Sequence, residues 1–168
     1  LLQWMMGPVE SVYAKSATRL VNIEAEDTGV VVLKFTSGAL GIIEATTATG
    51  PKDLEGSVSI LGEKGTVEIG GFAVNEMKIW NFIDGSEEEK EEILSTYKQN
   101  PPDVYGFGHT EFLSNVVEAI TNRKAALVDG LEGRKSLELI AAIYESIETG
   151  REVQVNFVPK KCKLGLND

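Results

Sequence analysis

The chain is poor in the residues that do most protein chemistry: it carries one histidine and one cysteine in 168 residues. A single cysteine excludes an internal disulfide and suits a reducing, cytoplasmic compartment. With only one histidine beside it, no His/Cys zinc cluster can form. Positive charge is short as well, 16 Lys+Arg against 26 Asp+Glu for a net charge of −10. A field of that sign repels phosphate backbones and anionic lipid, which argues against nucleic-acid and membrane-surface partners. No apolar run is long enough to span a bilayer, and no signal peptide is evident. Missing too are a Gly-x-Gly-x-x-Gly turn between strand and helix and a Gly-Lys-Ser/Thr phosphate loop. The run Gly62-Glu63-Lys64-Gly65-Thr66 looks superficially like the latter but lies in a hairpin and reads as a turn. No serine sits in a nucleophile-elbow context, so a Ser/His/Asp triad cannot be assembled.

What is present is an ordinary globular balance, 42% hydrophobic and 25% charged, in a length that suits one well-cored domain. The opening Leu1-Leu2-Gln3-Trp4-Met5-Met6-Gly7-Pro8 reads as the last turns of a helix, Gly7 capping it and Pro8 preventing continuation. A helix that begins in its last turns implies a fragment of something longer. Val9 to Leu20 is strand-like, although neither face is cleanly apolar. Asp27–Phe35 and Ala39–Ala48 read as strands joined at Thr36-Ser37-Gly38, and Glu55–Leu61 and Gly65–Ile69 as a second pair. Ala73–Phe82 continues as a sixth strand, with Trp80 and Phe82 on an outer face. The acidic burst Asp84–Glu92 reads as a solvated loop, and Ile93–Tyr97 as one more short strand. Beyond Asn100-Pro101-Pro102-Asp103 the period becomes helical, with Phe112, Leu113, Val116, Val117 and Ile120 on one face. A second helix starts at Asp129, with Glu132 completing a capping box, and closes at Gly150 before a last strand, Arg151–Phe157. This order specifies an α+β domain, a largely antiparallel open β-sheet with helices packed on one face. The expected bounds are 1–158, followed by a Lys-rich tail at 159–168 that holds Cys162 as an incidental exposed thiol.

Chemistry has few places to sit. His109, after Gly106-Phe107-Gly108, is the one side chain suited to histidine proton transfer, and it stands at a helix start that favours an anion. The plainer alternative is that the glycines make a turn and His109 caps the helix. Glu24, Glu26 and Asp27 are the tightest acidic cluster and read as solvated. Arg19, Lys15 and Lys52 are isolated basic residues near strand ends or loops, whereas Arg134 is explained by pairing with Glu138 one turn on.

The segments Asp27–Phe35, Gly38-Ala39-Leu40-Gly41, Gly56–Val67 and Tyr105–Val155, the last including Asp129–Ser136, together resemble the C-terminal domain of the Gfo/Idh/MocA oxidoreductase family. Tyr105–His109 and Thr46-Thr47-Ala48-Thr49 are similar to the branch that oxidises the 3-hydroxyl of UDP-N-acetylglucosaminuronic acid. The resemblance implies a two-domain enzyme with NAD or NADP on an N-terminal Rossmann domain that this chain lacks. It places the catalytic lysine and Asp/His pair upstream of Leu1, so no catalytic, cofactor-binding or metal-binding residue is assigned here, and the fragment alone is expected to be inactive and to bind no cofactor. His109 does not match the family's catalytic histidine. The expected substrate contacts are Tyr105, His109, Arg19 and Asn22, the ligand an anionic sugar or UDP-sugar, and the assembly a homo-oligomer through the sheet face. The rival expectations are a non-catalytic self-associating module, or the same scaffold acting on another polyol or sugar.

Overall fold

The computed structural model describes residues 1–102 and 106–156. The chain divides into two compact units, Leu1–Pro51 with the chain from Val128 onward, and Lys52–Leu127. The first unit opens with α1 (Leu2–Met6), which ends as its sequence dictates: Gly7 at φ 82° donates its amide to the Gln3 carbonyl, and Pro8 stops the helix. Strands β1 (Val9–Ala17), β2 (Thr28–Phe35), β3 (Leu40–Thr46) and β7 (Val153–Gln154) form one sheet in the order β3-β2-β1-β7, every pair antiparallel.

The blurred alternation of β1 has a structural cause. Its register against β2 shifts between Val9 and Ser11, so Val9, Ser11, Val12 and Ala14 are all buried. Ser11 tolerates burial because its hydroxyl donates to Glu152. The β2–β3 hairpin turns as the sequence indicates, Gly38 adopting φ 90° and the Phe35 and Ala39 backbones closing it. Across from it, a Cβ on Gly41 would stand 3.0 Å from the Phe35 ring, so the glycine makes room for that fully buried side chain.

Helix α4 (Gly130–Thr149) lies on the inner face of this sheet. Asp129 caps it by accepting the Leu131 and Glu132 amides, and Gly150 at φ 67° ends it. The Glu132 carboxylate does not complete a box; it takes Lys135. The core is Val9, Val12, Ala14, Val31, Leu33 and Phe35 from the sheet against Leu139 and Ala142 from the helix, with Leu2 and Met6 of α1 packed on it. Fully burying a valine, leucine or phenylalanine side chain contributes about 1.5–3 kcal/mol, and this burial is what chiefly holds helix to sheet.

The second unit holds a separate antiparallel sheet, β4 (Val58–Leu61), β5 (Gly65–Gly70) and β6 (Glu76–Phe82) in that order, with α2 (Glu87–Thr96) and α3 (Gly108–Asn122). The strands anticipated as one succession thus form two sheets. Strand β6 starts at Glu76 rather than Ala73, because Val74 at φ 54° turns the chain and Asn75 accepts the Ala73 amide. Most of the acidic burst and of the strand expected at 93–97 forms a single helix. Ser86 caps α2 through the Glu89 amide, Glu87–Glu89 stand at the positive end of the helix dipole, and Lys90 pairs with Glu87. Acids that repel one another in a coil are stabilised by a helix N-terminus. The closing strand is shorter than expected, Val153–Gln154 of Arg151–Phe157, with Phe157 outside the described residues. Arg134 pairs with Glu138 at 2.7 Å, as its spacing requires.

Candidate functional site

Between the inner face of β2–β3 and α4 lies a cavity of about 430 Å³. Val31, Ile43, Ile140, Ile143 and Ile147 give it apolar walls, and Glu26, Asp27, Thr46, Thr47 and Tyr144 supply its polar groups. Two of these, Glu26 and Asp27, belong to the segment that joins β1 to β2. Asp27, expected in a solvated acidic cluster, is 2% exposed. Its Oδ2 accepts the amides of Arg19, Leu20 and Val21 at 2.8, 2.7 and 3.1 Å. Those amides, Leu20 and Val21 foremost and Arg19 next, pull its pKa down to about 2. The same contacts end β1 at Ala17, three residues short of the strand anticipated from sequence, because amides turned toward a carboxylate are lost to a ladder. Glu26 is not free in solvent either: the Tyr144 hydroxyl of α4 donates to its Oε1 at 2.7 Å.

Arg19 and Asn22, two of the anticipated substrate contacts, lie on this segment with exposed side chains. His109 is in the second unit, exposed as the second residue of α3. It is not the helix cap: that position is Phe107, which makes no side-chain capping bond. Tyr105 lies outside the described residues. The structure therefore places Arg19 and Asn22 on one loop and His109 on a different element. Sequence reading missed Asp27 and the Glu26–Tyr144 pair. Their one signal is a carboxylate immediately ahead of a β-branched strand and a tyrosine on an otherwise apolar helix face.

The Rossmann way of holding a dinucleotide is not built by the described residues. Every strand pair among them is antiparallel, so no β-α-β crossover presents a Gly-rich turn to a pyrophosphate. No group of three or more His, Cys, Asp or Glu among them could hold a metal ion, and no described helix is long and apolar enough to cross a membrane.

An antiparallel sheet carrying a helix on its inner face is the α+β arrangement that the order of elements specifies. Residues 1–155 match the C-terminal alpha/beta domain of an oxidoreductase family, and the chain belongs to that family, Gfo/Idh/MocA. Among solved structures it is similar to the WlbA dehydrogenase from Bordetella pertussis in complex with NADH and UDP-GlcNAcA: 43% identity, TM-score 0.82, covering 94% of this chain and 45% of that one. It is also similar to the WlbA dehydrogenase from Chromobacterium violaceum, again with NADH and UDP-GlcNAcA, at 47% identity and TM-score 0.79 over 94% of this chain and 43% of that one. A levoglucosan dehydrogenase in complex with NADH, at 17% identity and TM-score 0.70 over 93% of this chain and 47% of that one, shares the fold. The chain thus spans less than half the length of these relatives. No curated protein matches it in sequence.

Proposed function

We propose that this chain is the substrate-shaping domain of an NAD(P)-dependent dehydrogenase that oxidises the 3-hydroxyl of a UDP-N-acetylglucosaminuronic acid. The observation that carries the reading is identity of 43% and 47% across 94% of the chain to two enzymes captured with NADH and UDP-GlcNAcA. NAD(P) would supply hydride acceptance, and no residue described here is assigned to it. The reacting groups belong to a Rossmann half upstream of Leu1. The part of this chain is to bind and orient the sugar nucleotide, with Arg19, Asn22, Tyr105 and His109 as its contacts. Residues 1–158 act as that domain, residues 159–168 as a tail, and the setting is the cytoplasm.

Self-association through the open sheet face belongs to the same proposal. The outward residues Tyr13, Val32 and Ile42 are direct cross-strand neighbours, and Val30 and Leu40 flank them. Leu40 and Ile42 are 75% and 68% exposed, an apolar row that a second copy laid across it would cover.

Calorimetry tests the substrate and cofactor assignment together. The chain should bind UDP-GlcNAcA in preference to UDP-glucose, which lacks the sugar carboxylate, bind it more weakly as His109→Ala, and give no heat with NADH. Tight NADH binding, or equal affinity for the two UDP-sugars, overturns the proposal.

A further inference from the structure

The segment from Thr18 to Glu26 has no regular secondary structure, yet it is anchored at both ends and along its first half. The Asp27 amide donates to Ala17 at 3.0 Å and the Thr18 hydroxyl to the Ala25 carbonyl at 2.7 Å, closing the base of the loop. Inside that closure three consecutive amides converge on one oxygen of Asp27, a small anion-binding nest occupied by the chain's own carboxylate. Bonds to an ionised acceptor are stronger than neutral ones, so this one side chain holds the backbone of Arg19, Leu20 and Val21 in a single shape. Asp27 is itself fixed from behind, its carbonyl accepting the Thr47 amide at 2.8 Å and the Thr46 hydroxyl at 3.0 Å. At the far end of the loop, Glu26 is tied to α4 by the Tyr144 hydroxyl. The side chains of Arg19 and Asn22 remain exposed outside the nest.

We propose that Asp27 is the positioning residue of a substrate-binding loop: its carboxylate sets the backbone from which Arg19 and Asn22 reach the sugar nucleotide, and the Glu26–Tyr144 bond is the second anchor. Asp27 does not touch substrate, and its effect passes through Arg19 and Asn22. This role rests on the proposed contact of those two side chains with the substrate. A guanidinium displaced by about 1 Å from a bound anion loses much of its value, which is why an exposed cation on an irregular loop requires a fixed backbone.

The test is steady-state kinetics of the full-length enzyme with NAD+ and UDP-GlcNAcA. Asp27→Ala should raise KM for UDP-GlcNAcA about tenfold, leave kcat within threefold and leave KM for NAD+ unchanged. Asp27→Asn, which keeps an acceptor oxygen, should recover most of that loss. Tyr144→Phe, a milder change that serves if Asp27→Ala does not fold, should raise the same KM about threefold. Because Asp27 acts through Arg19 and Asn22, adding Asp27→Ala to the Arg19→Ala/Asn22→Ala double variant should raise KM no further. A further, multiplying rise on that background overturns the positioning role. A KM rise in Arg19→Ala and Asn22→Ala with none in Asp27→Ala overturns it too, while leaving the substrate loop intact. No change in any of the three overturns both the positioning role and the substrate contacts beneath it.

Discussion

Ser146→Ala removes the hydroxyl that completes the sheet where its last strand leaves it. Strand β7 pairs with β1 at Ser11–Gln154 and Val12–Val153, and the Val155 amide donates to Glu10. Continuing that register sets Arg151 opposite Ala14, but the strands have parted there. The Ser146 hydroxyl fills the gap, accepting the Ala14 amide at 2.9 Å and donating to the Arg151 carbonyl at 2.6 Å. It stands in for one rung of the ladder and ties α4 to β1 at a point 0% exposed. Truncation leaves the buried Ala14 amide without an acceptor, which costs about 1–3 kcal/mol, while the carbonyl of the exposed Arg151 can take water instead. We therefore expect a loss of about 2 kcal/mol, read as a lower urea midpoint at unchanged m. Ser146→Cys nearly keeps the volume but offers a poor acceptor, so it should cost nearly as much. The Ala14 amide should also exchange with solvent faster in both variants. A loss below about 0.5 kcal/mol for Ser146→Ala, or a Cys variant as stable as wild type, would refute the rung argument.

Gly41→Val forces a side chain to within 3.0 Å of the Phe35 ring and should cost about 1–3 kcal/mol by the same urea measurement. Asp129→Ala deletes the acceptor of two amides at the start of α4 and should cost about 1 kcal/mol, whereas Asp129→Ser should recover most of it. The depressed pKa of Asp27, about 2, makes its contribution to stability fully present above the ordinary aspartate value and progressively lost as pH falls from about 4 to about 2. Acid titration of Asp27→Asn should lack that portion of the loss, and an unchanged acid profile counts against the nest. Val32→Glu, set in the middle of the apolar cross-strand row, should shift sedimentation toward monomer with no change in the unfolding midpoint of the monomer; an undiminished oligomer removes the sheet face as the interface.

The features legible in the sequence are those whose causes are local. The Thr36–Gly38 turn, the Asp129 cap and the Gly7 and Gly150 stops each involve groups a few residues apart, and Arg134–Glu138 is a single helical turn. The α2 helix is equally local but is obscured by its charge: a block of acids reads as coil until Ser86 is recognised as a cap that orients them to the dipole. What cannot be read is whatever depends on which strands pair. Six consecutive strands specify antiparallel neighbours, not the break that leaves β4-β5-β6 as a sheet of its own. The bulge in β1 disguises its inward face for the same reason, since burial of Ser11 requires Glu152, 141 residues away. The candidate site suffers most from this limit. Arg19 and Asn22 are proposed as substrate contacts, but nothing in their own residue types or spacing distinguishes them from solvated loop residues. The feature that gives them a fixed position is Asp27, a few residues downstream, and its role shows no period because a nest is defined by convergence in space. Function concentrates on loops that a scaffold holds still. In such a loop the residue to seek from sequence is therefore the short acid at the mouth of the next strand rather than the exposed cation itself, because the acid decides whether the cation has an address.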